Sequence, residues 1–567
     1  LSGVLRRWDL RYGAAVAAVL GVALALRVWG LRSGLPWVYN VDEAQHFVPH
    51  AVAMLGGNLN PQYFGNPAAF TYVLAGLLEL WFGGRDAVNQ LYYSADSSQI
   101  WVLARLTSAV LGTLAVWLLY LAGARLFDRR TGLLAAAVMA VAFLPVAYGK
   151  LALNDAPTLA PVCLSLWGTV GILRDGRRRD YAIAGVGLGL AAATKYTGGI
   201  VVLPLVAAAL SRARGPDGGW RVALWLTVAG VLALAAFIAA DPYSVVDFHS
   251  FWNALAHQSA ESEAAGGKLG LTYGSGVFYY LWSITWGVGW VPALAALGGV
   301  AMIALRRQWA LVAVWVPVVV VFLAFMGLQG RYFGRWVMPI VPVICLLGAH
   351  AAVSAAERLR SARPQLRGVP VALAGIVMCA QGLGYSIHSD LVNSRVDTRN
   401  STLAWLDAHV PAHTRIVVEP IVPNSSRPPN NWAARWIAFP DFYTHRGRHG
   451  RLTVRGGGVV KLENYERTLS PALIDLYVRT GYCWVVTGST EEARALVDPT
   501  AVPQAVAYYA ALAARGTLVF EVSPYASGVA SVPFNFDWSF DYYPAAYARP
   551  GPLVSIYRLH GGRCGKG

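Results

Sequence analysis

Long apolar runs dominate the first two thirds of the chain, near 13–30, 100–123, 132–149, 156–173, 181–196, 198–211, 222–240, 276–305, 309–328, 336–353 and 368–387. A helix needs about 20 residues to cross ~30 Å of hydrocarbon. The pattern therefore predicts some eleven membrane spans. The pair 181–196 and 198–211 is short and shares the interruption Thr194-Lys195-Tyr196-Thr197-Gly198-Gly199, which reads as two short helices meeting at a membrane face or as one bent pair. From about 389 the periodicity changes. β-Branched runs at Thr414–Val418, Cys483–Thr487, Thr517–Val522 and Leu553–Tyr557 alternate with helix-like stretches at 399–409, 461–479, 490–497 and 503–514. The expected fold class is a polytopic α-helical membrane protein over residues 1–388, followed by an α/β domain over 389–567 outside the membrane.

Composition excludes a soluble globular enzyme. Only 13% of residues are charged and 56% are hydrophobic, against roughly 25% charged in a soluble domain, and the mean hydropathy is +0.45. The net charge of +16 comes from five Lys and 41 Arg against 30 acids. Its placement explains it without nucleic acid. Arg6, Arg7 and Arg11 precede the first run; Arg125, Arg129 and Arg130 follow the second; Arg174, Arg177, Arg178 and Arg179 follow the fourth; Arg212, Arg214 and Arg221 follow the sixth. Arg306 and Arg307, then Arg358, Arg360, Arg363 and Arg367, complete the series. These fall on every second connection, so they mark the cytoplasmic side. The N-terminus is then cytoplasmic, and the loops 31–99, 150–155, 194–199, 241–275 and 329–335 face outside with everything after 388. The first apolar run enters Arg27-Val28-Trp29-Gly30 with no small-residue cleavage site, so it reads as a span and not as a signal peptide. The chain begins at Leu1, which reads as a natural start that is processed or missing.

Cys163, Cys345 and Cys379 lie in apolar runs as buried small hydrophobes, while Cys483 and Cys564 lie in the outer domain, where an oxidising compartment permits a disulfide. No P-loop, no GxGxxG after a strand and no CxxC pair is present.

The candidate chemistry lies in the outer loops. Asp42 and Glu43 are adjacent in Asn40-Val41-Asp42-Glu43-Ala44-Gln45-His46, just past the first run. They read either as the acidic start of a helix capped by Asn40 or Asp42, or as a general base whose pKa is raised by burial and like charge. His46 and His50 follow at a spacing of four, a weak metal pattern. A carboxylate pair is also a donor set for a divalent cation. Asp155 in Asn154-Asp155-Ala156-Pro157 reads as ordinary helix-start grammar or as a second acid on the same face. Lys150, Lys195 and Lys268 stand in outer loops against the basic trend; snorkelling accounts for Lys150 and Lys268, whereas Lys195 is a candidate for an anion. Gln329-Gly330-Arg331-Tyr332-Phe333-Gly334-Arg335-Trp336 adds two guanidiniums suited to a phosphate, or an interfacial aromatic belt.

In order and spacing, these residues resemble the GT-C superfamily of polyprenyl-phosphate-dependent glycosyltransferases, in its branch of protein O-mannosyltransferases and lipid A aminoarabinose transferases. The resemblance covers roughly 20–345. It rests on Asp42-Glu43, Asn58-Leu59-Asn60-Pro61, Phe64-Gly65-Asn66-Pro67, Asn154-Asp155-Ala156-Pro157, Ala193-Thr194-Lys195-Tyr196-Thr197 and Arg335-Trp336 with Pro339 and Pro342, where the family more often has Arg-Tyr. It implies inverting transfer of a sugar from a polyprenyl-phosphate donor to a hydroxyl of a glycan, lipid or protein at the outer face of a bacterial plasma membrane. Asp42 would deprotonate the acceptor, Glu43 would position it, and Asp155 would line the same cavity. Lys195, Arg331 and Arg335 would hold the donor phosphate, with His46, Tyr196 and Tyr332 as accessories. A transporter or lipid flippase is the rival reading, although it would put ionisable groups near the midplane. The aromatic stretch Phe534–Phe540 makes the outer domain a candidate acceptor binder.

Overall fold

The computed structural model describes residues 10–94, 96–213, 218–263, 269, 275–366, 368–411, 414, 416–419, 444–446, 452–454, 462–532 and 543–564. Arg6, Arg7, Arg214, Lys268, Arg367 and the stretch Phe534–Phe540 lie outside them.

All eleven apolar segments are largely helical. Seven described helices are long and apolar enough to cross a membrane, or eight if the bent pair Arg129–Val141 and Phe143–Lys150 is one span. The other predicted spans are shorter: Leu159–Asp175 and Arg178–Thr194 have 17 residues each, and Tyr12–Val28 is also apolar. One apolar helix was not anticipated. Ala69–Phe82 lies in the first outer loop and leaves Leu80 and Trp81 exposed.

Close packing depends on small residues, because lipid provides no hydrophobic drive between helices. A Cβ on Gly185 or Gly189 would come within 2.3 and 2.1 Å of the carbonyl oxygens of Ala229 and Ala233, and one on Gly187 within 2.4 Å of the Ser165 backbone nitrogen. These glycines let Arg178–Thr194 lie backbone to backbone between Leu159–Asp175 and Gly219–Ala240. Asp155 and Lys195 sit at the matching ends of the first two of these helices.

The bend between Val141 and Phe143 has an equally local cause. Pro145 has no N–H to give Val141, and the 59° break leaves neighbouring carbonyls without helical donors. Arg27, fully buried in the first helix, donates to Ala140 O at 3.0 Å and Met139 O at 3.4 Å, while Ser386 Oγ donates to Val141 O at 2.9 Å.

Ion pairs identify the two ends of the bundle. At one end Arg125 bonds Asp175 and Asp180, and Arg130 pairs with Glu357. The helices leaving this end deliver 98, 155, 195 and 341 to the opposite end. Val369–Asn393 also ends there and leads into the C-terminal part. That part holds a four-stranded mixed sheet ordered β1-β4-β6-β5, with β1 Ile416–Val418, β4 Trp484–Gly488, β5 Gly516–Val522 and β6 Val554–Leu559. β1 runs parallel to β4, and the other pairs are antiparallel. A separate hairpin joins β2 Thr444–Arg446 to β3 Leu452–Val454. Cys483 and Cys564 form a disulfide with a Cα separation of 5.0 Å.

Candidate active site

Four charged side chains from four separate segments meet at the sheet-bearing end of the bundle. Asp42 stands on the short helix Val41–Gln45, Asp155 in the turn before Leu159–Asp175, Lys195 at the break after Arg178–Thr194, and Arg335 in the 3-10 turn Gly334–Ile340. Arg335 Nη2 donates to Asp42 Oδ2 at 2.5 Å, and its Nε lies 3.9 Å from Asp155 Oδ2. Lys195 Nζ pairs with Asp155 Oδ1. The result is a two-acid, two-base quartet with no net charge. The Arg335 guanidinium also lies over Phe333 and Tyr148, 4.9 and 5.7 Å from the ring centroids. Arg331 lies 5.9 Å from the centroid of the same Phe333 ring.

Asn40 sets Asp42 in place. It caps the short helix, its Oδ1 accepting the Glu43 N–H at 3.0 Å. Two residues earlier, buried Val38 has φ +49°, a backbone region that a β-branched residue rarely adopts. Of the two readings of this segment, the capping one is observed, with Asn40 as the cap. Successive helical residues point about 100° apart, and the two acids separate accordingly. Asp42 faces the quartet, with a side chain 34% exposed. Glu43 is fully buried and chelated by Arg105, Nε to Oε1 and Nη2 to Oε2 both at 2.7 Å. Its Oε1 also accepts the Ala152 N–H at 2.9 Å, while Arg105 Nη1 donates to the carbonyls of Leu31 and Ser33. Glu43 thus ties the first loop to the turn carrying Asp155.

The electrostatics of Asp42 differ from the sequence expectation. Burial alone would raise its carboxyl, as predicted, but Arg335 and His46 outweigh burial and hold it well below the usual carboxylate range. Asp155 is not the helix cap that its position before Pro157 suggests. Its carboxylate is engaged by Lys195, and the turn is closed instead by Thr158 Oγ donating to Asn154 O at 2.6 Å. Asn154 Nδ2 donates to Thr194 O at 2.8 Å and to Asn66 Oδ1 at 3.4 Å, which links the Phe64-Gly65-Asn66-Pro67 motif to this turn.

The accessory residues fall differently. His46 Nε2 lies 3.4 Å from Asp42 Oδ1. Tyr196 turns its hydroxyl to Phe64 O at 3.0 Å, and Tyr332 is buried against Tyr279. Lys150 does not snorkel: it is buried, paired with Asp390, and donates to Trp29 O at 2.9 Å. It lines a polar cavity with Glu43, Tyr39, Arg105, Asp397 and Arg399, where the C-terminal part meets the first loop. Arg399 bonds Asp397 at 2.8 Å and lies 3.8 Å from the Tyr39 centroid.

Asp42 and Glu43 address different partners and do not form a common donor set. Among the described residues no group of three or more His, Cys, Asp or Glu side chains is placed to hold a metal ion. Sequence reasoning missed Arg105, and it gave Lys150 to snorkelling and Arg27 no partner. The available signal was an ionisable residue at or near an apolar span, which by default has a partner worth seeking.

Residues 95–240 match the family of dolichyl-phosphate-mannose-protein mannosyltransferases. An ArnT from Cupriavidus metallidurans bound to undecaprenyl phosphate is similar in structure, with TM-score 0.50, 15% identity, and coverage of 97% of this chain and 98% of that one. The same protein in its apo state gives 0.50, 14%, 98% and 100%. The oligosaccharyltransferase of Archaeoglobus fulgidus gives 0.46 and 14%, over 94% of this chain and 76% of that one. No curated protein sequence matches.

Proposed function

We propose that the chain, whose residues 95–240 match the mannosyltransferase family model and whose fold is similar to that of an ArnT, is a GT-C glycosyltransferase that moves a sugar, with inversion, from a polyprenyl-phosphate donor to an acceptor hydroxyl. The observation that carries this reading is the quartet Asp42, Arg335, Asp155 and Lys195, assembled at one end of the bundle from residues far apart in sequence. A sugar phosphate is already activated. The protein needs a base for the incoming hydroxyl and positive charge where the leaving phosphate develops. The acceptor oxygen bonds to the anomeric carbon as its proton goes to Asp42. The bond from that carbon to the phosphate oxygen breaks, and polyprenyl phosphate leaves toward Lys195 and Arg335, with Arg331 beside them.

The resting pairing adds an order to these events. Arg335 cannot hold Asp42 and a phosphate equally well, so an arriving donor draws the guanidinium away from the carboxylate. Asp42 then loses its main stabilising cation, and its basicity rises when a donor is in place. The base is therefore weak without a donor and stronger with one.

The quartet end is read as extracytoplasmic, because the arginine-bearing connections lie at the opposite end and the Cys483–Cys564 disulfide belongs to an oxidising compartment. Residues 1–388 would then be the membrane domain, with 31–99 as its catalytic loop, and 389–567 the outer domain. The acceptor is a hydroxyl of a cell-wall glycan, lipid or protein. The test uses purified protein and a polyprenyl-phosphate sugar. Asp42→Asn should abolish transfer while the melting temperature and donor-lipid binding persist; full residual transfer would remove Asp42 as the base.

A further inference from the structure

Among the described residues, His46 is the titratable side chain that both touches Asp42 and leads away from the cations. Its position is fixed from several sides. Its backbone N–H donates to Asp42 O at 3.0 Å, which brings the ring back over the carboxylate, Nε2 to Oδ1 at 3.4 Å. The ring stacks on Tyr63, centroids 5.1 Å apart and planes 8° from parallel, and His50 also stacks on Tyr63 at 4.9 Å and 13°. Tyr63 is itself held through its hydroxyl, which accepts from Asn66 Nδ2 at 2.9 Å. Phe47 meets the His46 ring edge-on at 6.3 Å. The titratable or charged groups facing His46 are thus Asp42, Tyr63 and His50, with Arg335 beyond Asp42. The His46 side chain is 26% exposed and that of Asp42 34%, so once an acceptor covers the open face of Asp42 the ring is the way that remains to water.

We propose that His46 relays the acceptor's proton: it receives the proton from Asp42 at Nε2 and releases one from Nδ1 to water. This rests on the reading of Asp42 as the base. The proton leaves the acceptor hydroxyl for Asp42 Oδ1 as the new glycosidic bond forms, and crosses to Nε2 once the neutral ring, which donates Nε2–H to the resting carboxylate, has moved its hydrogen to Nδ1 through water. The imidazolium sheds the Nδ1 proton, and the ring returns to neutral as the other tautomer, which re-equilibrates through water. No oxidant, reductant or metal is involved. The 3.4 Å separation is slightly long for a hydrogen bond, as catalytic contacts often are before substrate closes the site. Arg335, once drawn to the donor phosphate, leaves His46 as the remaining partner of Asp42.

The test compares His46→Gln, His46→Asn and Asp42→Asn in purified full-length protein, with polyprenyl phosphate lacking a sugar as the binding probe. Gln keeps a donor near Nε2 but accepts no proton. The expected result for His46→Gln is unchanged probe affinity and KM, with kcat down by about 100-fold, the lower end of what a positioned proton acceptor contributes. The wild type should lose kcat as acid protonates the imidazole; His46→Gln should lack this limb, and added imidazole should restore part of the rate. A His46→Gln enzyme with wild-type kcat and the same acid limb overturns the relay, and so does a variant that loses probe binding and kcat together. If His46→Gln fails to fold, His46→Asn is judged by the same criteria. Should Asp42→Asn stay active, the base reading fails; should it be inactive while both His46 variants behave as wild type, only the relay fails.

Discussion

Changing Asp42 to Asn and Glu43 to Gln, one at a time, should separate two neighbouring carboxylates into a chemical residue and a structural one. Glu43 accepts three hydrogen bonds of 2.7–2.9 Å, and both it and Arg105 are buried. Neutralising one member of such a pair leaves the other charge without compensation, which costs about 3–5 kcal/mol. Against a total stability of about 5–15 kcal/mol for a typical domain, Glu43→Gln should lower the melting temperature sharply and reduce the folded fraction. Asp42 has a side chain 34% exposed and one guanidinium partner. Partly exposed pairs contribute about 0–1 kcal/mol, so Asp42→Asn should melt close to wild type. Its kcat should fall by about 100-fold or more, as expected on removing a general base. The assay is intrinsic-fluorescence melting in one detergent, paired with transfer from a polyprenyl-phosphate sugar at matched folded concentration. The reasoning is refuted if Glu43→Gln melts like wild type, or if Asp42→Asn is destabilised as strongly as Glu43→Gln.

Lys195→Met should weaken binding of polyprenyl phosphate by about 10- to 100-fold, since a hydrogen bond to a charged group contributes about 1.5–3 kcal/mol; unchanged affinity in a titration would remove Lys195 from the phosphate site. Gly189→Ala places a Cβ 2.1 Å from Ala233 O, a contact with backbone that must shift. Overpacking of this kind costs about 1–3 kcal/mol, and the melting temperature should fall accordingly, whereas Gly230→Ala, with nothing near its Cβ, should not lower it through a clash. In the C-terminal part burial raises the Glu419 carboxyl to about 8, with Gly488 N–H and Tyr509 OH opposing and Glu492 and Glu466 adding. An unfolded Glu titrates near about 4.3, so folding favours the protonated form; that contribution is fully present below about 4.3 and is lost as pH rises through about 8, up to about 5 kcal/mol. Melting of this part should be lower at about pH 9 than at about pH 6, and Glu419→Gln should flatten the difference; a pH-independent wild type would contradict it.

The spans and the quartet were legible in the sequence because each depends on local signals. Apolar length marks a span wherever it falls, and all eleven runs are largely helical. Asp42, Asp155, Lys195 and Arg335 were found because a chain with 13% charged residues gives few reasons to place charges in loops of the poorly basic side. Pairing was not legible. Arg105 lies 62 residues from Glu43, Lys150 is 240 residues from Asp390, and nothing local distinguishes a chelating arginine from one that merely ends a span. The same gap explains the error over Asp42: burial was readable from its position, but the sign of its shift depended on Arg335, 293 residues away. Glu43 shows the cost most clearly. Two adjacent acids look like a pair in one dimension, yet the helix directs one to Arg335 and His46 and the other to Arg105 and the Ala152 N–H. Charges in a sparsely charged chain thus mark where charged side chains gather and say little of what each one meets there, because the partner is supplied by the fold.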